Sequence, residues 1–79
     1  MASDQINNLF LKYGLPFKVS RVKDPDFGVV VKVYYKDGRK NRTITIGFNY
    51  LDAIQNLAML FQGSDARIDA VLQEAMYMR

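Results

Sequence analysis

The dipeptide Asp37-Gly38 separates two alternating apolar runs and strongly constrains the fold of this chain. Asp-Gly between such runs is typical of a two-residue type I′ hairpin turn. Side chains alternate along a strand, so this turn predicts one apolar face with the pairs Val33–Arg42, Val31–Ile44, Val29–Ile46 and Phe27–Phe48. The opposite face is predicted to be basic and hydroxylic, with the pairs Val30–Thr45, Lys32–Thr43, Tyr34–Asn41 and Lys36–Arg39.

The composition indicates one folded domain, residues 1–79, with 49% apolar residues. Cysteine and histidine are absent, which excludes disulfides and metal sites of thiolate or imidazole type. We expect no cofactor and no metal. The longest apolar run, Ala58 to Phe61, is too short to cross a membrane, and the first residues lack the pattern of a signal peptide. A cytoplasmic location without a membrane partner is therefore expected.

The net charge of +3 is unevenly distributed along the chain. Residues 12–43 carry nine Lys or Arg against three Asp, whereas residues 44–79 carry two Arg against four acidic residues. The positive charge therefore belongs to the predicted strands. A basic surface favours polyanions such as nucleic acid. Lysine on exposed strands also discourages aggregation, so charge alone leaves both interpretations open.

The first predicted helix starts at Ser3 as its cap, continues through an apolar stripe, and ends at Gly14. Pro16 prevents its continuation, and a strand is predicted from Phe17 to Lys23, followed by a turn at Asp24-Pro25-Asp26. The stripe consists of Ile6, Leu9, Phe10 and Tyr13.

Two further helices are predicted after the hairpin. Asn49 is placed to cap the first of them, Gly63 to end it, and Ser64 with Asp65 to start the second. The sequence thus predicts an α+β domain of order α-β-β-β-α-α. Its three-stranded antiparallel sheet is expected to have helices on the apolar face and an open basic face. The apolar positions are Tyr50, Leu51, Ala53, Ile54, Leu57, Ala58, Leu60 and Phe61, then Ile68, Val71, Leu72, Ala75 and Met76.

This order of elements resembles the double-stranded RNA-binding domain over roughly residues 5–62. Leu9 with Tyr13-Gly14 is similar to the end of that family's first helix, and Phe27, Val29, Val31 and Val33 resemble its second strand. The segment from Gly47 to Ile54 lies where the family has a glycine, a cap and the start of a lysine-rich helix, and Ala53 and Ala58 match that helix's small residues.

The departures from the family fall on its RNA-contacting positions. Tyr50, Leu51 and Ile54 stand where the family places lysines on phosphates, and Asp24-Pro25-Asp26 replaces a loop that reaches the minor groove. The resemblance therefore implies a shared fold without the usual duplex contacts. Domains of this type that lose those contacts often act as protein-interaction modules.

An enzyme is not expected, because histidine, cysteine and a glycine-rich phosphate loop before a helix are absent. Asp24 and Asp26 could act as paired carboxylates, but aspartates in turns usually bond their own backbone. Asp65 and Asp69 lie one helical turn apart, a spacing that an ordinary solvated helix face also explains.

The basic sheet face is the main candidate site, as a surface for nucleic acid or a nucleoprotein complex. Lys18, Lys32, Lys36, Arg39 and Lys40 could contact phosphates, and Arg42 could reach outward from the sheet end. Tyr34 could stack on a base, while Asn41, Thr43 and Thr45 could form hydrogen bonds. The alternative explanation is a solvated strand surface of residues with high β-propensity.

The competing hypothesis is a protein-interaction module or a small inhibitor of phage or mobile-element type, possibly a homodimer. Met and Tyr are typical of interfaces, although Met also fills cores. Strand pairing at a sheet edge is a further possibility. The residues of this alternative interface are Val30, Thr45, Met59, Met76, Tyr77 and Met78.

Overall fold

The computed structural model describes residues 2–78 and shows three helices and three strands. The strands form one antiparallel sheet of order β1-β2-β3. This confirms the predicted α+β class and the order α-β-β-β-α-α. The elements are α1 (Ser3–Lys12), β1 (Phe17–Asp24), β2 (Gly28–Asp37), β3 (Lys40–Gly47), α2 (Tyr50–Phe61) and α3 (Ala66–Met76).

The starts of α2 and α3 follow the capping residues of the sequence, whereas α2 ends at the left-handed residue Gln62 (φ +51°), one residue before the predicted Gly63. The Asn49 side chain accepts a hydrogen bond from the Asp52 backbone N–H at 2.8 Å, and Asp65 accepts one from Arg67 at 3.0 Å. Ala2, not Ser3, is the N-cap of α1. The Ser3 hydroxyl is instead hydrogen-bonded to the Tyr50 hydroxyl at 2.7 Å, which joins the starts of α1 and α2.

All three helices cover one face of the sheet. Val19 of β1 and Val31 and Val33 of β2 are buried in a single core with apolar side chains from every helix. The helical members of this core are Ile6, Leu9, Phe10, Ala53, Ile54, Leu57, Ile68, Val71 and Ala75. The predicted open face is confirmed for β2, because Lys32 and Tyr34 alternate with the buried valines.

The hairpin turn lies one residue later than predicted. Asp37 pairs with Lys40, so Gly38 and Arg39 are the two loop residues. Gly38 has φ of +64°, whereas Arg39 is not among the residues with positive φ, a pattern typical of a type II′ turn. Glycine at the first central position explains the shift. Moving the turn by one residue shifts the partner of each strand residue by two positions. Because side chains alternate with a period of two, each strand residue near the turn keeps its predicted face.

A β-bulge in β3 alters the predicted faces further from the turn. Tyr34 pairs with Thr43 but Val33 pairs with Thr45, which leaves Ile44 as the extra residue. Ile44 packs against the core. Thr45 therefore lies opposite core residue Val33 rather than on the open face, and Ile46 lies opposite Lys32 rather than on the helical side. Both predictions were wrong for this reason.

Two other predicted positions also differ. Phe27 precedes β2 and Phe48 follows β3, and both are exposed together with Val29, so the predicted inner pairs Phe27–Phe48 and Val29–Ile46 do not form. Val30 is 0% exposed, although it lies on the sheet face away from the helices, paired with Val22. A residue without exposed area cannot contribute to an interface, so Val30 does not belong to the alternative interface predicted from the sequence.

We call the sheet face away from the helices the outer face. It carries alternate residues of the three strands, in rows that the register defines. Its residues are Lys18, Ser20 and Val22 of β1, Val30, Lys32, Tyr34 and Lys36 of β2, and Asn41, Thr43 and Ile46 of β3.

A polar cluster joins α1 to α3. The Lys12 Nζ donates to Glu74 Oε1 at 2.8 Å, and the Tyr13 hydroxyl donates to Glu74 Oε2. The hydrogen bond from Lys12, followed by that from Tyr13, lowers the pKa of Glu74 below its ordinary value of 4.5. The hydrogen bond that Lys12 donates to Glu74 raises the pKa of Lys12. The hydrogen bond that Tyr13 donates to Glu74 raises the pKa of Tyr13 above its ordinary value of 10.0.

This cluster predicts a pH-dependent contribution to stability. A lowered carboxyl pKa stabilises the fold above the unfolded value near 4.5, and this stabilisation is lost as the pH falls through the lower folded pKa of Glu74. We expect Glu74→Gln to lower the urea midpoint slightly at neutral pH, since the ion pair is exposed. The difference between variant and parent should vanish in acid. A difference that stays constant down to about pH 2 would contradict the assignment.

Candidate nucleic-acid interface

The hairpin end of the outer face brings together most of the residues predicted to contact nucleic acid. Lys18, Tyr34 and Thr43 form one row across the three strands, since Tyr34 pairs with both of the others. Lys18 and Thr43 are exposed, and Tyr34 is half-buried between them. Neighbouring strands lie about 4.8 Å apart, so the side chains of Lys18 and Thr43 leave the sheet on either side of Tyr34.

The next row towards the turn completes a shallow depression. Lys36 pairs with Asn41, and both side chains are exposed. Together with Pro16, Lys18 and Tyr34 they line a depression of about 240 Å³, which we call the Tyr34 depression. It combines an aromatic ring, two cationic side chains and one amide. Thr43 is in the neighbouring row but does not line it.

Pro16 also lines this depression, although the sequence predicts for it only that it stops α1. Its position follows from the β1–β2 register, because Phe17 pairs with Tyr35 and the preceding residue therefore approaches Lys36. Counting this register back from the Asp24–Gly28 pair would have identified it.

Lys32 lies further from the turn, in a row with Ser20 and Ile46. All three are half-buried, and beyond them lies the apolar pair Val22 and Val30. The outer face is therefore graded, with polar and cationic residues at the hairpin end and an apolar pair towards the β1–β2 turn. The predicted face was basic and hydroxylic with one valine, whereas the observed face also carries Val22 and Ile46.

The remaining predicted cations surround the hairpin turn. Arg39 is a loop residue, Lys40 pairs with Asp37, and both are exposed. Arg42 donates through Nε to Asp37 Oδ2 and keeps an exposed side chain, in agreement with its predicted outward reach. This ion pair neutralises part of the charge at the turn.

The lysines of the outer face form no ion pair within residues 2–78. Among residues 2–78 the ion pairs join Lys12 to Glu74, Arg42 to Asp37 and Arg67 to Asp65, so none of them neutralises Lys18, Lys32 or Lys36. The acidic turn Asp24-Pro25-Asp26 lies at the opposite end of the sheet from the hairpin turn. There Asp24 accepts hydrogen bonds from the backbone N–H groups of Asp26 and Phe27, at 2.8 and 3.2 Å. This is the local bonding that turn aspartates usually form.

The residues of the alternative interface do not form one surface. Met59 is 72% exposed and lines, with Thr45, Asn56, Leu60 and Gln62, a depression of about 380 Å³ beside β3 and α2. Met76 and Tyr77 are exposed at the end of α3, whereas Met78 packs against the core. Only Met59 and Thr45 of the predicted set therefore share a concave surface.

Asparagine side chains occupy both edges of the sheet. Asn7 of α1 accepts from the Val19 N–H at 2.8 Å and donates to the Val19 carbonyl at 3.5 Å, as a neighbouring strand would. Asn56 of α2 donates to the Ile46 carbonyl at 2.8 Å. Because these groups are already bonded, another strand would have to displace an asparagine at either edge.

Neither a grouped set of metal ligands nor a membrane-spanning helix is found in the described part of the chain. No three His, Cys, Asp or Glu side chains come together there as metal ligands. No helix within residues 2–78 has the length and apolar character that crossing a bilayer requires.

Comparison with known proteins provides no assignment. No protein family, curated protein or solved structure matches this chain significantly. The resemblance to the double-stranded RNA-binding domain therefore rests on the order of elements and on the residues quoted above.

Proposed function

We propose that this chain is a small, non-enzymatic binding module that contacts nucleic acid or a nucleoprotein complex in the cytoplasm. The contact surface is the hairpin end of the outer face. The observation that carries this proposal is the Tyr34 depression, where Lys18 and Lys36 stand beside an aromatic ring and neither is neutralised by an ion pair within the described residues. Cations interleaved with aromatic rings are typical of nucleic-acid surfaces.

In this chain, the positions that correspond to the RNA contacts of the double-stranded RNA-binding domain carry no Lys or Arg. The start of α2 carries Tyr50 and Leu51, both half-buried, and Asp52, whose carboxylate accepts a hydrogen bond from the Phe48 N–H at 2.9 Å. The loop between β1 and β2 contains Asp24 and Asp26. These groups offer no cation to a phosphate, so we place the contact on the sheet.

Salt dependence of binding tests the proposal. If about four cations of the outer face contact phosphates, affinity for an oligonucleotide should fall roughly 50- to 150-fold between about 50 and 200 mM salt. Fluorescence anisotropy with labelled RNA and DNA oligonucleotides measures this directly. Binding that does not change with salt, or no binding to any oligonucleotide, would contradict the proposal.

A second candidate function is protein docking at the depression beside Met59. Exposed Met59 and Leu60 line this depression, and methionine is common at interfaces. In the alternative hypothesis of a phage or mobile-element inhibitor, the partner would dock at this depression. Capture of a partner from the native host that survives nuclease treatment and requires Met59, without any oligonucleotide binding, would favour this function over the first.

A further inference from the structure

We infer that the ligand of the outer face is a single strand of nucleic acid, one base of which stacks on Tyr34 inside the Tyr34 depression. The inference rests on the proposed function and makes it more specific. Charge alone would accept any polyanion, whereas the depression offers an aromatic surface on which an unpaired base can stack and a paired base cannot.

The size and lining of the depression support one flat ring as its occupant. Its volume of about 240 Å³ is below the range of roughly 300–1,000 Å³ that drug-sized ligands fill. Pro16 and Tyr34 supply its apolar ring surfaces. In a duplex the bases are stacked on each other and present only their edges, so a Tyr ring cannot stack on them.

The positions of the cations also suit one strand. Lys18 is the direct neighbour of Tyr34 across the β1–β2 ladder, and Lys36 is two residues along β2, about 7 Å away. The two lysines therefore leave the sheet in different directions from Tyr34, one across the ladder and one along β2, from where their long side chains can reach the phosphates before and after a stacked base. A duplex presents two phosphate rows separated by grooves of about 6 and 12 Å, which a cluster around one ring does not match.

Asn41 is placed to contact the edge of the stacked base. It pairs with Lys36 and lines the same depression, and its amide supplies both donors and an acceptor. Tyr34 is half-buried, so part of its ring is held by the sheet before binding. Ordering this ring on binding should therefore cost little entropy.

The test compares single strands of about 12 nucleotides, as RNA and as DNA, with duplexes of the same sequence. We expect the single strands to bind more tightly. Tyr34→Ala should weaken single-strand binding roughly 5- to 150-fold without changing the slope of affinity against salt, because no charge is removed. Tyr34→Phe keeps the ring and should bind nearly as well as the parent. Lys36→Ala should instead reduce the salt slope by about 0.7.

The outcomes separate this inference from the proposed function. Salt-dependent binding that is equal for single strands and duplexes, or that prefers duplexes, would overturn the inference and leave the proposed function standing. The same conclusion would follow if Tyr34→Ala, with an unchanged circular dichroism spectrum, bound as tightly as the parent. No binding to any of these oligonucleotides would overturn both.

Discussion

Replacing Gly47 by alanine should destabilise the domain more than any other glycine substitution. Gly47 ends β3 and is buried under the first turn of α2. A Cβ atom there would lie 2.3 Å from the Ala53 backbone nitrogen and 2.6 Å from its Cα. Because these are backbone atoms, only a shift of α2 away from the sheet can make room.

We expect Gly47→Ala to cost at least about 3 kcal/mol, the upper part of the range for overpacking. Domains of this size have stabilities near the lower end of about 5–15 kcal/mol, so the loss would be a large fraction of the total. The corresponding fall in melting temperature is at least about 12 °C. Thermal and urea denaturation followed by circular dichroism would measure it.

Gly28→Ala is the matched control. Gly28 begins β2 with φ of +76°, and a Cβ there would meet no atom within 4 Å. Its substitution carries only the cost of a left-handed backbone, about 1–2 kcal/mol. If Gly47→Ala proved no more destabilising than Gly28→Ala, the close approach of α2 to β3 would be wrong.

The need for glycine at position 47 illustrates what the sequence could not predict. The helices were predictable, since apolar stripes at helical spacing and capping residues such as Asn49 and Asp65 specify them locally. The close approach of Gly47 to Ala53 depends on how α2 crosses the sheet. That crossing is set by packing of the whole core, which a local pattern does not describe.

The sequence predicted that a hairpin forms and which face each β2 residue occupies. It did not predict which residues of β2 and β3 pair with each other. The alternation Thr43-Ile44-Thr45-Ile46 predicts a regular ladder, and Thr and Ile both favour strands on either face. Nothing in that pattern disfavours the bulge at Ile44, which places Ile44 in the core and Ile46 on the outer face. A bulge is chosen by the fit of β3 to α2, a tertiary property.

The prediction of the candidate site depended little on the register between β2 and β3. Lys32, Tyr34 and Lys36 lie on β2, whose faces do not depend on the bulge, and Lys18 follows from the separate β1–β2 ladder. Asn41 and Thr43 lie between the turn and the bulge, so they kept their face while changing partners. The residues that moved, Thr45 and Ile46, lie beyond it.

Reversing two charges of the outer face, Lys32→Glu with Lys36→Glu, should abolish nucleic-acid binding. Each substitution removes a cation near the expected phosphate path and replaces it with a carboxylate that repels phosphate. Juxtaposed like charges cost several kcal/mol, so affinity should fall at least about 100-fold at low salt. Anisotropy titrations with the single-stranded oligonucleotides above would measure the loss.

The matched control is Arg21→Glu with Lys23→Glu. It changes the net charge by the same amount, but Arg21 and Lys23 pair with Val31 and Val29 and alternate with the outer-face residues of β1. Both are exposed, so the fold should tolerate their substitution. We expect this control to retain most of the affinity, since the phosphates pass over the other face. Equal losses in the two double variants, with melting temperatures unchanged in both, would mean that net charge alone attracts the polymer. The outer face would then have no special role in binding.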